Sequence, residues 1–123
     1  MIEQKLLDTL TIDELIMAFE EVCLAQDTEL RNARLHKKPE LVHQLFAIGK
    51  ELKSRGREAR LALTSLYDHP NMHVRLKAAR YTLVVAPLPS RQILEKIANF
   101  GHMPQAAEAR ETLRHIDEGT FRD

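Results

Sequence analysis

The chain has one cysteine, no tryptophan, four glycines and five prolines in 123 residues. A lone cysteine, Cys23, forms no internal disulfide, and its presence without a partner favours a reducing compartment. The few glycines do not cluster, so no loop is built to cradle a phosphate. Long apolar runs are also missing. Leu83 to Ala86 is among the longest, far too short to span a bilayer. No N-terminal stretch joins a basic start to an apolar run, so no secretion signal is expected and the cytoplasm is the expected location.

What is present describes an ordinary globular chain. Apolar residues make up 44% and charged residues 29%, and the length suits one domain whose core needs no disulfide staples. Net charge is zero, but it is unevenly spread. Residues 1–35 hold eight acids and three bases, and residues 36–80 hold ten bases and four acids. Either these regions meet or are simply solvated, or the basic middle is a patch for an acidic partner.

Helix signals dominate. Thr11 and Glu14 form a capping box, each side chain able to bond the other's amide. Ile12, Leu15, Ile16, Phe19, Val22 and Cys23 then mark one apolar face of a helix to about residue 30. A short turn from Glu3 to Asp8 precedes it. Pro39 opens a second helix that closes on Lys53, Arg55 and Gly56. A third runs from about Arg57 to Tyr67. Asp68 to Asn71 is a turn, and Asn71 caps a fourth helix from Met72 to about Val85. Pro87 and Pro89 break the chain. Ser90 caps a fifth helix that ends at Phe100 and Gly101. Pro104 starts a sixth, and residues from about Glu118 are expected to fray. Six helices joined by short turns imply three antiparallel pairs.

Helix pairs recur with a period near 30 residues. The best unit holds Leu63 and Leu66 before the turn, Asp68 and Pro70 in it, then Val74, Arg75, Ala78, Ala79 and Leu83. This unit resembles HEAT-like repeats of the armadillo-type superhelical family. More widely, residues 10–100 resemble a family of small uncharacterised bacterial proteins with a HEAT-like fold. The resembling parts are Gln26-Asp27, Leu45 to Ile48, Glu51 to Gly56, Asp68 to Pro70 and Val74 to Leu76. The resemblance implies an all-α, right-handed α-α superhelix, with Asp68 bonded to Arg75, and it implies no activity. Immunity-type, toxin-neutralising proteins of related helical families are an analogy of fold only.

The chemistry is sparse. His69 and His73, with Asp68, could suggest a metal site, but no third histidine or cysteine stands at ligand spacing. His69 reads as a turn cap and His73 as a solvated first-turn residue. Cys23 falls on the inner face of its helix as a buried thiol. Glu20 and Glu21 point about 100° apart, so they form no acid–base pair. No catalytic residue, metal or cofactor is expected.

The remaining signal is basic. Arg55, Arg57, Arg60, Arg75, Lys77 and Arg80 gather around the second to fourth helices, with Tyr67 and Tyr81 nearby. On a concave repeat face they would meet an acidic or mixed protein surface. Nucleic acid is the alternative partner, disfavoured by scarce aromatics. Met17, Ala18, Leu24 and Ala25 widen the apolar face of the first helix, so either the N-terminal turn or a second copy covers it. A non-catalytic interaction module is the expected function.

Overall fold

The computed structural model describes residues 4–32 and 39–123. Among them every regular element is helical. The chain divides into two compact units, residues 1–62 and 63–123.

The first unit opens with a 3₁₀ helix, Gln4–Thr9, followed by α1 (Ile12–Arg31), α2 (Pro39–Ser54) and α3 (Arg57–Leu61). The expected N-terminal turn is that 3₁₀ helix, and Glu3 lies outside the described residues. The capping box forms: the Thr11 hydroxyl accepts from the Glu14 amide at 3.1 Å, and the Thr11 amide donates to Glu14 Oε1 at 2.8 Å. Two donors that a helix start leaves orphaned are thereby satisfied. Leu15, Phe19, Leu41, Leu45, Ile48 and Leu52 are buried. Each contributes about 1.5–3 kcal/mol of apolar burial. Gly56 has φ +106°, a conformation that L side chains rarely adopt. It joins α2 to α3 with no spare linker.

The second unit holds most of a 3₁₀ helix, Ala62–Leu66, then α4 (Met72–Tyr81), α5 (Pro87–Phe100) and α6 (Gln105–Glu118). The sequence pattern expects one α-helix from Arg57 to Tyr67. The backbone instead tightens after Leu61, and the three-residue repeat places buried Leu63 and Leu66 on one side. Asn71 caps α4 as expected, its side chain accepting from the Val74 amide at 3.1 Å. The helix stops at Tyr81 rather than near Val85. Thr82 is the reason: its hydroxyl donates to the Ala78 carbonyl at 2.8 Å, the place an amide would hold in a continuing helix. The expected break falls at residues 82–86, immediately before Pro87. Pro87 and Pro89 occupy the first turn of α5, where missing N–H groups cost nothing. Ser90, expected as a cap, is fully buried inside that turn and donates to the Ala86 carbonyl.

Leu76, Ala79, Leu83, Leu94, Ile97, Ala98 and Ala109 form the core of this unit. The alanines let α4, α5 and α6 approach closely. A buried polar knot fastens the periphery. The Tyr67 hydroxyl bonds Thr82 Oγ1 and lies 3.1 Å from Ser90 Oγ. Residues after α6 fold back: the Thr120 and Phe121 amides donate to the His115 carbonyl at 2.8 and 3.1 Å.

Candidate binding face on the fifth helix

The residues singled out by sequence prove to be heavily committed. Arg75 does not pair with Asp68. Its Nη1 donates to the carbonyls of His69 at 2.6 Å and Pro70 at 3.1 Å, holding the turn before α4. Lys77 forms an ion pair with Glu108 of α6 at 2.7 Å. The Arg80 guanidinium lies over the Phe121 ring, 5.4 Å from its centroid. Tyr81 is half-buried at the end of α4. Arg57 and Arg60 belong to α3 in the first unit, Arg57 exposed and Arg60 buried. Lys77 and Arg80, expected to meet a partner surface, are thus engaged within the fold. α6 and the chain end cover α4 and supply their partners.

The histidines are likewise absorbed. His69 Nδ1 accepts from the Asn71 amide at 3.0 Å, a turn cap. His73 is not solvated. It is 4% exposed, its Nδ1 lying 3.4 Å from Gln105 Nε2. Among the described residues no group of three His, Cys, Asp or Glu side chains could hold a metal ion. Cys23 is buried, as its face implies.

A different surface stands out. Ile93, Lys96 and Phe100 follow one another at three- and four-residue spacing along α5, which places them on one face. They line two shallow clefts. One, about 290 Å³, is completed by Met72 and Arg75 of α4. The other, about 320 Å³, is completed by Gln92, Glu95 and Asn99. Phe100 projects between them and is 87% exposed. A patch pairing a bare aromatic with cations is unlike scattered surface apolars.

Two local features build this face. Gly101 ends α5 where a Cβ would come within 2.8 Å of Met72 Sδ and 2.5 Å of the Ile97 carbonyl oxygen. Glycine is what lets Met72 close the first cleft. The charge balance is set nearby. Arg91 holds Asp117 at 2.9 Å and Glu95 at 3.3 Å. These contacts, the Asp117 hydrogen bond foremost, raise the Arg91 pKa above its usual value. Glu95 is thus engaged, and among the described residues Lys96 pairs with no acid. Arg75 keeps the rest of its guanidinium fork available. The face is apolar with a cationic bias.

Sequence reasoning finds Arg75 of this face and misses Lys96 and Phe100. Phe100 reads there as a helix terminator. The seven-residue interval between Ile93 and Phe100, with Lys96 between, is the signal that marks them as neighbours.

A family model described as a domain of unknown function (DUF2019) matches residues 13–117. The chain is also similar to the protein RPA1889 from Rhodopseudomonas palustris CGA009, known from its crystal structure. The two are 38% identical, the match covers 93% of this chain and 94% of that one, and the TM-score is 0.86. No protein with a curated description matches the chain.

Proposed function

We propose that this chain, which belongs to the DUF2019 family, is a non-catalytic helical-repeat module of HEAT-like type. It binds an acidic, amphipathic protein segment through the α5 face. The turn before α4 and the alanine-mediated packing of α4, α5 and α6 support the HEAT-like reading. The observation that carries the binding role is Phe100, 87% exposed beside two clefts and an unpaired Lys96.

Magnitudes assign the parts. Burying an exposed phenylalanine is worth about 1.5–3 kcal/mol. An exposed lysine–carboxylate pair is worth about 0–1 kcal/mol. The aromatic therefore supplies affinity, as anchors at interface centres do, while Lys96 and Arg75 select sign and orientation.

An array of helical peptides, each with one large apolar residue between acids, tests the reading. Binders should weaken about 30-fold with Phe100→Ala, a loss of about 2 kcal/mol at about 1.4 kcal/mol per decade. Lys96→Glu should weaken them less and reduce their salt dependence, since Arg75 remains. Equal retention of basic and acidic peptides would sink it. A single-stranded oligonucleotide is the control. If it binds through Phe100 with a steep salt slope, the partner is nucleic acid instead.

A further inference from the structure

The first unit carries a cleft of its own, of about 280 Å³, between α1 and α2. Ala18, Val22 and Ala25 form its α1 wall, and Leu41, Ala47 and Ile48 its α2 wall. The three alanines are the reason it exists, since larger side chains at those positions would fill it. Leu7 of the first 3₁₀ helix also lines it. That helix is tied down by Arg55, whose Nη2 donates to the Leu7 carbonyl at 2.9 Å while its Nε meets Glu51 at 2.8 Å. The lining is thus held in place from α2.

Its rim is acidic. Glu21 of α1 and Glu40 of α2 both border the cleft and are exposed. Among the described residues neither pairs with a cation. One turn to either side of Glu21, Met17 and Leu24 are 60% and 36% exposed. The apolar surface therefore continues past the cleft mouth along α1. The volume decides between occupants. Small-molecule pockets run from about 300 to 1,000 Å³ and enclose their ligand. This cleft falls at the lower limit, is open, and has an apolar floor between two carboxylates. A single aliphatic side chain presented by a cationic segment matches each of these properties.

We infer that the α1–α2 cleft is a docking groove for a basic amphipathic segment of a partner protein. One branched aliphatic residue enters between Val22 and Ile48. A lysine or arginine about one turn away on each side reaches Glu21 and Glu40. Met17 and Leu24 cover the neighbouring apolar positions of the same segment. This surface shares no residue with the α5 face and takes a partner of the opposite charge.

Selection from a random peptide library displayed on phage, against the full chain, tests this. The expected outcome is enrichment of sequences with an aliphatic residue flanked by lysine or arginine. Synthetic versions should bind the wild type and lose at least tenfold with Ala25→Leu, which fills the cleft. Because a filled cleft could disturb packing, Glu21→Lys with Glu40→Lys provides the second variant. It alters only exposed side chains and should lose binding to a similar degree. Phe100→Ala should leave these peptides unaffected, which separates failure of this inference from failure of the α5 reading. Enrichment of acidic or uncharged sequences, or binders indifferent to both variants, would overturn the inference. So would a wild-type dimer that Ala25→Leu converts to monomer in sedimentation, because the occupant would then be a second copy.

Discussion

At the scale of single residues, the start of α1 is the best-defined electrostatic device. Glu14 accepts from the Thr11 amide, and this bond lowers its pKa from the usual value near 4.5, with the Thr11 side chain adding to the effect. A carboxylate whose folded pKa is depressed stabilises the fold above its unfolded pKa. That contribution fades as pH falls through the folded value. Glu14→Gln keeps a hydrogen-bonding side chain but removes the charge from the helix N-terminus. The melting-temperature gap between wild type and this variant should be constant from about pH 6 to 8. It should close as pH falls through the lowered folded pKa, below which the carboxyl is protonated in both states. Other carboxylates titrate in both proteins and cancel in the comparison. A gap that persists unchanged in acid would refute the charge-based account. This device is legible in the sequence because its partners stand three residues apart. Lys77 and Arg80 are opposite cases. Glu108 lies 31 residues beyond Lys77, and Phe121 closes over Arg80 only because the chain end folds back. No local pattern encodes either partner.

At the scale of elements, helix starts and helix ends differ in how they are specified. Starts at Thr11, Pro39 and Asn71 follow from side chains that bond or fix the adjacent backbone, so periodicity and caps locate them. The ends of α3 and α4 depend on tertiary contacts. α4 stops because Thr82 reaches the Ala78 carbonyl, and its hydroxyl is held there by the knot with Tyr67 and Ser90. The three hydroxyls differ in consequence. Tyr67→Phe removes one donor, while Thr82 and Ser90 keep their carbonyl partners. It should cost about 1 kcal/mol. Thr82→Val strips the donor from a buried carbonyl at the end of α4. Leaving such a group unsatisfied costs about 1–3 kcal/mol, so about 2 kcal/mol is expected. Urea denaturation of both variants checks the order. A Thr82→Val loss smaller than that of Tyr67→Phe would show that packing, not the knot, ends the helix. The same logic explains why Phe100 hides in the sequence. Local periodicity does not say whether a terminal aromatic tucks inward or projects, and the neighbouring Gly101 packs against Met72 of another helix.

At the scale of the whole molecule, zero net charge conceals two chemically opposite faces. The cleft on α1 and α2 is acid-rimmed, and the clefts along α5 are cation-biased. They lie in different compact units and share no residue. Substitutions at sites without shared partners add within about 0.3–0.5 kcal/mol, less than a threefold change in affinity. The chain should therefore behave as an adaptor with two independent binding events. Phe100→Ala should weaken an acidic probe peptide tenfold or more and change a basic one less than threefold. Ala25→Leu should do the reverse. The double variant should lose both by the product of the single effects. Titration calorimetry of each probe, alone and with the other already bound, checks this directly. If saturation with one probe shifts the affinity of the second tenfold, the faces are coupled by about 1.4 kcal/mol. Independence would then give way to a linkage in which each partner controls capture of the other. The unequal charge of the two faces makes one further result diagnostic. Raising salt should weaken both probes, because each is selected by sign, while the Phe100 contribution, being apolar, should survive at high ionic strength.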